Sequence, residues 1–154
     1  MSAEMYGLDP LLVGAVVWQE SRANPWAIRY EPEFFKKYLE NAVLEHYIPN
    51  MFLCTRGTER QARAFSWGLM QIMGQTAREY GFQGLLTELL QPEINLSVGC
   101  KILKTLLSQK QSVEEALDAY NRGPGTPFDP DYYYHKSVLK FRDGEEVKGI
   151  TTKS

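Results

Sequence analysis

The 154-residue sequence has no long apolar run, no basic surplus and only two cysteines, and each deficit closes off a class of function. No stretch approaches the roughly 20 apolar residues needed to cross a bilayer, so no membrane span is expected. Residues 1–9 lack the basic start and apolar middle of a secretory leader, so no export route is legible in this sequence. The formal net charge is -2, and lysine and arginine are scattered rather than clustered, which argues against nucleic acid as a partner. Cys54 and Cys100 match no metal or redox spacing; with mainly apolar neighbours they read as free core thiols, a disulfide between them being the alternative, and neither metal nor cofactor is expected. Runs with strand-like alternation are scarce too.

What is present is helical periodicity. The length fits a single domain over 1–154, with a core over about 9–142 and a polar tail over 143–154, expected to act as a monomer. Asp9-Pro10 supplies an N-cap and a first-turn proline for a helix over 10–22 that is apolar on every face, the pattern of a buried helix. Glu31-Pro32 opens a helix to about residue 43. Residues 48–58 read as irregular, and short helical pieces follow over 59–65, 76–80 and 84–90. Gln91-Pro92 starts a long helix with a wide apolar stripe through Ile94, Leu96, Val98, Ile102, Leu103, Leu106 and Leu107. Ser112-Val113-Glu114-Glu115 is a capping box leading into a helix ended by Gly123. Asp129-Pro130 opens a tyrosine-rich helix through Phe141 that stops at Gly144. The sum is an all-α domain of about six to eight short helices around one core.

The first helix carries an acid into that interior. Burial disfavours a charged carboxylate, so Glu20 is expected to have a pKa raised from about 4.3 toward neutrality, where it serves as a general acid. The competing reading is a structural carboxylate at a helix end, paired with Arg22 or another cation.

Three separated stretches bear on that choice: Glu20-Ser21, Gly68-Leu69-Met70-Gln71-Ile72-Met73, and Ala119-Tyr120-Asn121-Arg122-Gly123-Pro124-Gly125. In this order they resemble the catalytic domain of the soluble lytic transglycosylases. The resemblance covers roughly residues 9–141. It implies a lysozyme-like helical fold with a glycan-binding cleft, and cleavage of the β-1,4 bond between N-acetylmuramic acid and N-acetylglucosamine. Glu20 would be the single catalytic acid and base, and the product a 1,6-anhydro sugar. The partner it implies is a peptidoglycan glycan strand, met in the periplasm or cell wall by a phage lysin, a virion-associated enzyme or an exported bacterial enzyme. A muramidase of the same fold that uses water is the alternative, and a binding or virion structural protein is a further one.

By the same resemblance Ser21, Gln71, Met73, Tyr120, Asn121 and Tyr134 are the substrate-binding residues. Ser21 would bond Glu20 or the sugar, Tyr120 would orient Glu20, and Asn121 would hold a sugar or a loop. Tyr134 with Val138 matches a family pattern of spacing four, with Tyr133 as the other register. Gly68 is expected to permit close backbone approach at a turn. Three features depart from the short form of the family: Gly74-Gln75 in place of a proline turn, Arg122 where a small residue is commoner, and the long segment 27–66 before Gly68. That segment is expected to wall the cleft, and Glu31, Glu33 and Glu59 are the acids that could fold near it.

Overall fold

A computed structural model describes residues 2–45 and 54–145. Helix makes up 59% of it, which places the chain in the mainly helical class, with one small sheet added. The chain divides into two compact units, residues 1–19 with 100–154 and residues 20–99.

The first unit holds α1 (Ser2–Met5), most of α2 (Pro10–Ser21), the second half of α6 (Pro92–Gln109), α7 (Val113–Arg122) and α8 (Tyr133–Arg142). Asp9 starts α2 as expected: its Oδ1 accepts the Leu11 N–H at 2.9 Å and its carbonyl accepts the Val13 N–H at 3.1 Å, while Pro10 has no N–H to satisfy. Burial all round does not hold. Leu12, Val13, Ala15 and Val16 are buried, but Leu11 is 67% exposed, Trp18 39%, and Gly14 lies on the same open face at the i, i+3, i+7 spacing. Trp18 instead stacks on Phe141 of α8, ring centroids 5.5 Å apart. In α6 the predicted stripe is real, with Ile102, Leu103 and Leu106 buried.

Ser112 caps α7 by accepting the Glu115 N–H at 3.1 Å, and the Glu115 carboxylate returns to the Gln111 N–H at 3.0 Å. Gly123 at φ +98° ends that helix. Helix α8 packs against α7 and begins later than its sequence suggests. Asp129 spends its side chain on the Asp131 N–H and its carbonyl on the Tyr132 N–H, closing a turn before Tyr133 starts the helix. Between the two helices Asp118 Oδ1 and His135 Nδ1 lie 2.8 Å apart, both buried. Arg122, the unexpected arginine, places its guanidinium 4.3 Å from the Tyr132 ring centre and 3.7 Å from Asp118 Oδ2. Helix α8 gives way at Gly144, φ +75°. Neither cysteine is in a disulfide: Cys100 is buried, its thiol pushed up to about 11 by burial, and Cys54 is half-buried rather than in the core.

The second unit contains the sheet that the sequence did not announce. Strands β1 (Ile28–Tyr30), β2 (Phe65–Trp67) and β3 (Ile72–Met73) are antiparallel in that order, with Ile28, Arg29 and Tyr30 opposite Trp67, Ser66 and Phe65, and Ser66 opposite Met73. Strands of two or three residues are too short to show alternation. Their pairing zips together the two ends of the long segment, and Glu31 N–H to Ala64 carbonyl adds one more rung at 2.9 Å.

Within that segment the helix predicted to residue 43 stops early. Helix α3 (Pro32–Phe34) passes into a π-helical turn (Phe35–Leu39), and beyond it the Arg60 guanidinium donates to the Leu39 and Ala42 carbonyls, the Leu39 carbonyl also accepting the Ala42 N–H at 3.2 Å. Part of the stretch expected to be irregular, 46–53, lies outside the described residues. From Thr55 it is helical: Thr55 Oγ1 accepts the Thr58 N–H at 3.2 Å and caps α4 (Arg56–Ala62). Helix α5 (Gly74–Glu79) ends near Gly81, φ +88°, and the piece expected over 84–90 is a 3₁₀ helix (Leu86–Leu90).

Glu59 ties these pieces together. Its Oε1 accepts from Arg63 Nε at 2.9 Å and Arg78 Nε at 2.7 Å, its Oε2 from Arg78 Nη2 at 3.1 Å, and all three residues are buried. Burial pushes the Glu59 carboxyl up, but the hydrogen bonds and charges of Arg78 and Arg63 outweigh it and hold the group below its ordinary value. Arg78 also donates to the Phe82 and Gly84 carbonyls. Gly74 explains the missing proline turn: a Cβ there would stand 2.5 Å from the Ala62 carbonyl oxygen and 2.8 Å from Arg63 Cα, so α4 lies too close for any side chain.

Candidate active site

Glu20 and Ser21 are the last two residues of α2, and both are half-buried. Beyond them the chain reverses through Arg22 and Ala23 at φ +54° and +60°, a left-handed pair that non-glycine residues adopt at a cost of about 1 kcal/mol each or more. Asn24 steadies this reversal by accepting the Trp26 N–H on its side chain at 3.0 Å and the Ala27 N–H on its carbonyl at 3.3 Å.

The Gly68–Met73 stretch comprises the β2–β3 connection, 68–71, and β3 itself, and bonds from α2 and the entry to β1 fasten it. Ser21 Oγ donates to the Leu69 carbonyl at 2.8 Å, so the residue after the acid grips the turn. The Ala27 carbonyl accepts the Gly68 N–H at 2.7 Å and Gln71 Nε2 at 3.0 Å, which fixes the entry to β1 on the same turn. Gly68 has φ +68°, and a Cβ on it would meet the Leu89 carbonyl oxygen at 2.5 Å as well as the Asn95 amide, as the expected close approach requires. Gln71 also sits at positive φ, +47°. Arg22, Ala23 and Gln71 are thus the three non-glycine residues with positive φ among those described, and all lie at the helix end and turn under discussion.

Gln71 shares its amide nitrogen between the Ala27 and Gly68 carbonyls, both at 3.0 Å. That amide nitrogen therefore shapes the turn. Met73 is half-buried with its Sδ 3.4 Å from Ser66 Oγ, whereas Met70 is fully buried against Gly99 and belongs to the core. Asn95 on α6 is the residue that sequence reasoning missed. It is fully buried and satisfies three backbone groups at once: the Met70 N–H, the Trp67 carbonyl and the Leu89 carbonyl, at 2.8, 2.8 and 2.7 Å. The one sequence signal was an asparagine inside an apolar stripe, where an unpaired amide is costly.

The remaining candidates belong to the first unit. Tyr120 is half-buried on α7. Asn121 is exposed, and its Oδ1 accepts the Tyr132 hydroxyl at 2.8 Å. Tyr134 and Val138 share the buried face of α8, while Tyr133 is 47% exposed with its ring 4.9 Å from that of Tyr132.

The acids of the long segment fall into place as ion pairs. Glu59 has both oxygens occupied by arginines, Glu31 pairs with Arg29 at 2.5 Å, and Glu33 is exposed beside Lys36 at 3.8 Å. Among the described residues no group of three His, Cys, Asp or Glu side chains is arranged to hold a metal ion, and no helix is long and apolar enough to cross a membrane.

The chain is 37% identical over 60 residues to an endolysin of Enterobacteria phage PRD1, a stretch covering 36% of this chain and 40% of the phage protein. The match thus spans less than half the length of that relative. Residues 1–134 match the family model of the transglycosylase SLT domain. With most of its length under that model, from before the acid to the tyrosines of α8, the chain belongs to the transglycosylase SLT domain family.

Proposed function

We propose that this chain is a peptidoglycan lytic transglycosylase that cleaves the MurNAc-β-1,4-GlcNAc bond without water, with Glu20 as acid and then base. The observation that carries the reading is the Ser21 Oγ to Leu69 carbonyl bond, which joins the acid-bearing helix end to the Gly68–Met73 turn. Protonated Glu20 donates to the glycosidic oxygen as positive charge develops at C1. The substrate's own acetamido group stabilises that carbon, so a second enzymic carboxylate is not required. The Glu20 carboxylate then takes the proton of the C6 hydroxyl, whose oxygen closes on C1. The acid is regenerated, and the product is a 1,6-anhydro muramyl end.

The ion pairs of Glu31, Glu33 and Glu59 support a one-acid mechanism, since Glu59 has no free oxygen to activate water. Ser21, Gln71 through its Oε1, Met73, Tyr120 and Asn121 are assigned to glycan binding, Tyr134, buried on α8, to support beneath it, and the segment 27–66 to the wall of the glycan site. The likeness to a phage endolysin supports action on the cell wall as a lysin. Mass analysis of fragments released from purified sacculi tests the reaction: anhydro ends are one water lighter than hydrolysed ends. Reducing ends alone would make the chain a muramidase, and no release would leave a binding protein.

A further inference from the structure

The register of the sheet puts one cation in line with the turn. Arg29 is opposite Ser66 and Ser66 opposite Met73, so these three side chains form a row across one face. The contact of 3.4 Å between Ser66 Oγ and Met73 Sδ runs along that row. Tyr30, Phe65 and Trp67 alternate to the other face, where their rings follow one another at 5.1 and 5.7 Å. Adjacent strands are about 4.8 Å apart, so the Arg29 backbone is on the order of 10 Å from that of Met73. Along its own strand Arg29 is two residues, about 7 Å, beyond Ala27, whose carbonyl is clamped by Gly68 and Gln71.

Among the described residues Glu31 is the partner of this guanidinium. Its side chain is 65% exposed and its Nε donates to Glu31 Oε1 at 2.5 Å. An exposed pair of this kind adds little to stability, but it holds the guanidinium plane and leaves the two terminal nitrogens as an open fork. A planar fork suits a carboxylate, which it binds through two parallel hydrogen bonds. The muramyl sugar carries a peptide stem rich in carboxylates, and the row that Arg29 extends is the one on which Met73 is assigned to the glycan.

We propose that Arg29 is a specificity-determining residue that receives a carboxylate of the peptide stem. This rests on the transglycosylase reading above. The test uses soluble glycan oligomers with stem carboxylates either free or amidated, and compares KM and kcat for the wild type, Arg29→Gln and Arg29→Lys. The wild type is expected to show a KM roughly tenfold lower on the free acids with little change in kcat, the size of one exposed charge-assisted contact. Arg29→Gln should lose the discrimination, and Arg29→Lys should keep part of it, as a point charge without the fork. A wild type that forms anhydro product equally well from both oligomers overturns the role of Arg29 and leaves the function standing. So does an Arg29→Gln variant that still discriminates. A wild type that forms no anhydro product from either overturns the function itself.

Discussion

Asn95 Oδ1 lies 2.8 Å from the backbone nitrogen of Met70, and by that bond a buried helix side chain sets the shape of the turn that Ser21 grips from the other side. The same amide's nitrogen reaches the Trp67 and Leu89 carbonyls, so one residue satisfies groups from β2, the 3₁₀ turn and the β2–β3 connection.

Asn95→Leu should therefore cost about 3 kcal/mol, since it strands three buried backbone groups. For a chain of this length that is a fall in Tm of roughly 6–12 °C. Activity measured well below the melt should fall as well, because the turn loses its anchor. An unchanged Tm would show that the three contacts carry no net stability.

Two glycines near Met70 should behave differently. At Gly68 a Cβ meets the Leu89 backbone and the φ is +68°, so Gly68→Ala forces the turn itself to move and should cost about 2 kcal/mol or more. At Gly99 the neighbour is the Met70 side chain, whose thioether can rotate away, so Gly99→Ala should cost less, about 1 kcal/mol. Chemical denaturation of both variants checks the order; equal losses would contradict the distinction between backbone and side-chain obstruction.

The pH dependence of stability should bear the mark of Glu59. Its folded carboxyl titrates below the ordinary 4.5, so its contribution is complete above 4.5 and is lost as pH falls through the depressed value. Glu59→Gln leaves Arg63 and Arg78 buried without their anion and should cost about 3–5 kcal/mol at neutral pH. Below pH 4.5 the variant should also lack this part of the wild type's acid slope. Urea midpoints from pH 3 to 7 measure both effects, and parallel wild-type and variant curves would remove Glu59 from the account.

Glu20→Gln should abolish turnover while folding and glycan binding persist. General acid and base catalysis contributes about 10²–10⁴-fold, and one residue is assigned to both steps, so the loss should reach the upper end. Clearing of sacculi is read alongside pull-down on insoluble peptidoglycan and a thermal melt. A folded variant that clears at near the wild-type rate would remove Glu20 from the mechanism.

Local signals were legible wherever the chain announced its own ends. Asp9-Pro10, Ser112 and Gly123 mark helix limits through bonds within a few residues, and the structure has them where the sequence puts them. The acid and the turn could be named because their residue order carries a family resemblance, and Gly68 was legible as a close approach at a turn, while Gly74 was visible only as a glycine. What escaped was long-range. Ile28-Arg29-Tyr30 becomes a strand because Phe65-Ser66-Trp67 pairs with it, and no window around residue 29 contains that partner. Asn95 hides in a helical stripe, and Glu59 looked available until two arginines, one 19 residues away, closed on it. Asp129-Pro130 carried a true start signal, but for a turn, and α8 waited until Tyr133.

The pairing of Tyr30 with Phe65 has a consequence for how this protein tolerates change in length. Residues 31–64 leave and rejoin the scaffold across a gap one strand wide. For a flexible loop closed at such a base, each doubling of length costs only about 0.6 kcal/mol. Between Glu31 and Thr55 the chain is thus free to lengthen, shorten or be exchanged, provided α4 returns to deliver Glu59 and Arg63 to Arg78 and Gln75. One residue added between Gly68 and Gln71 would pull apart the bonds to Ser21, Ala27 and Asn95 together. Length variation among chains built this way should collect in the first stretch and be excluded from the second.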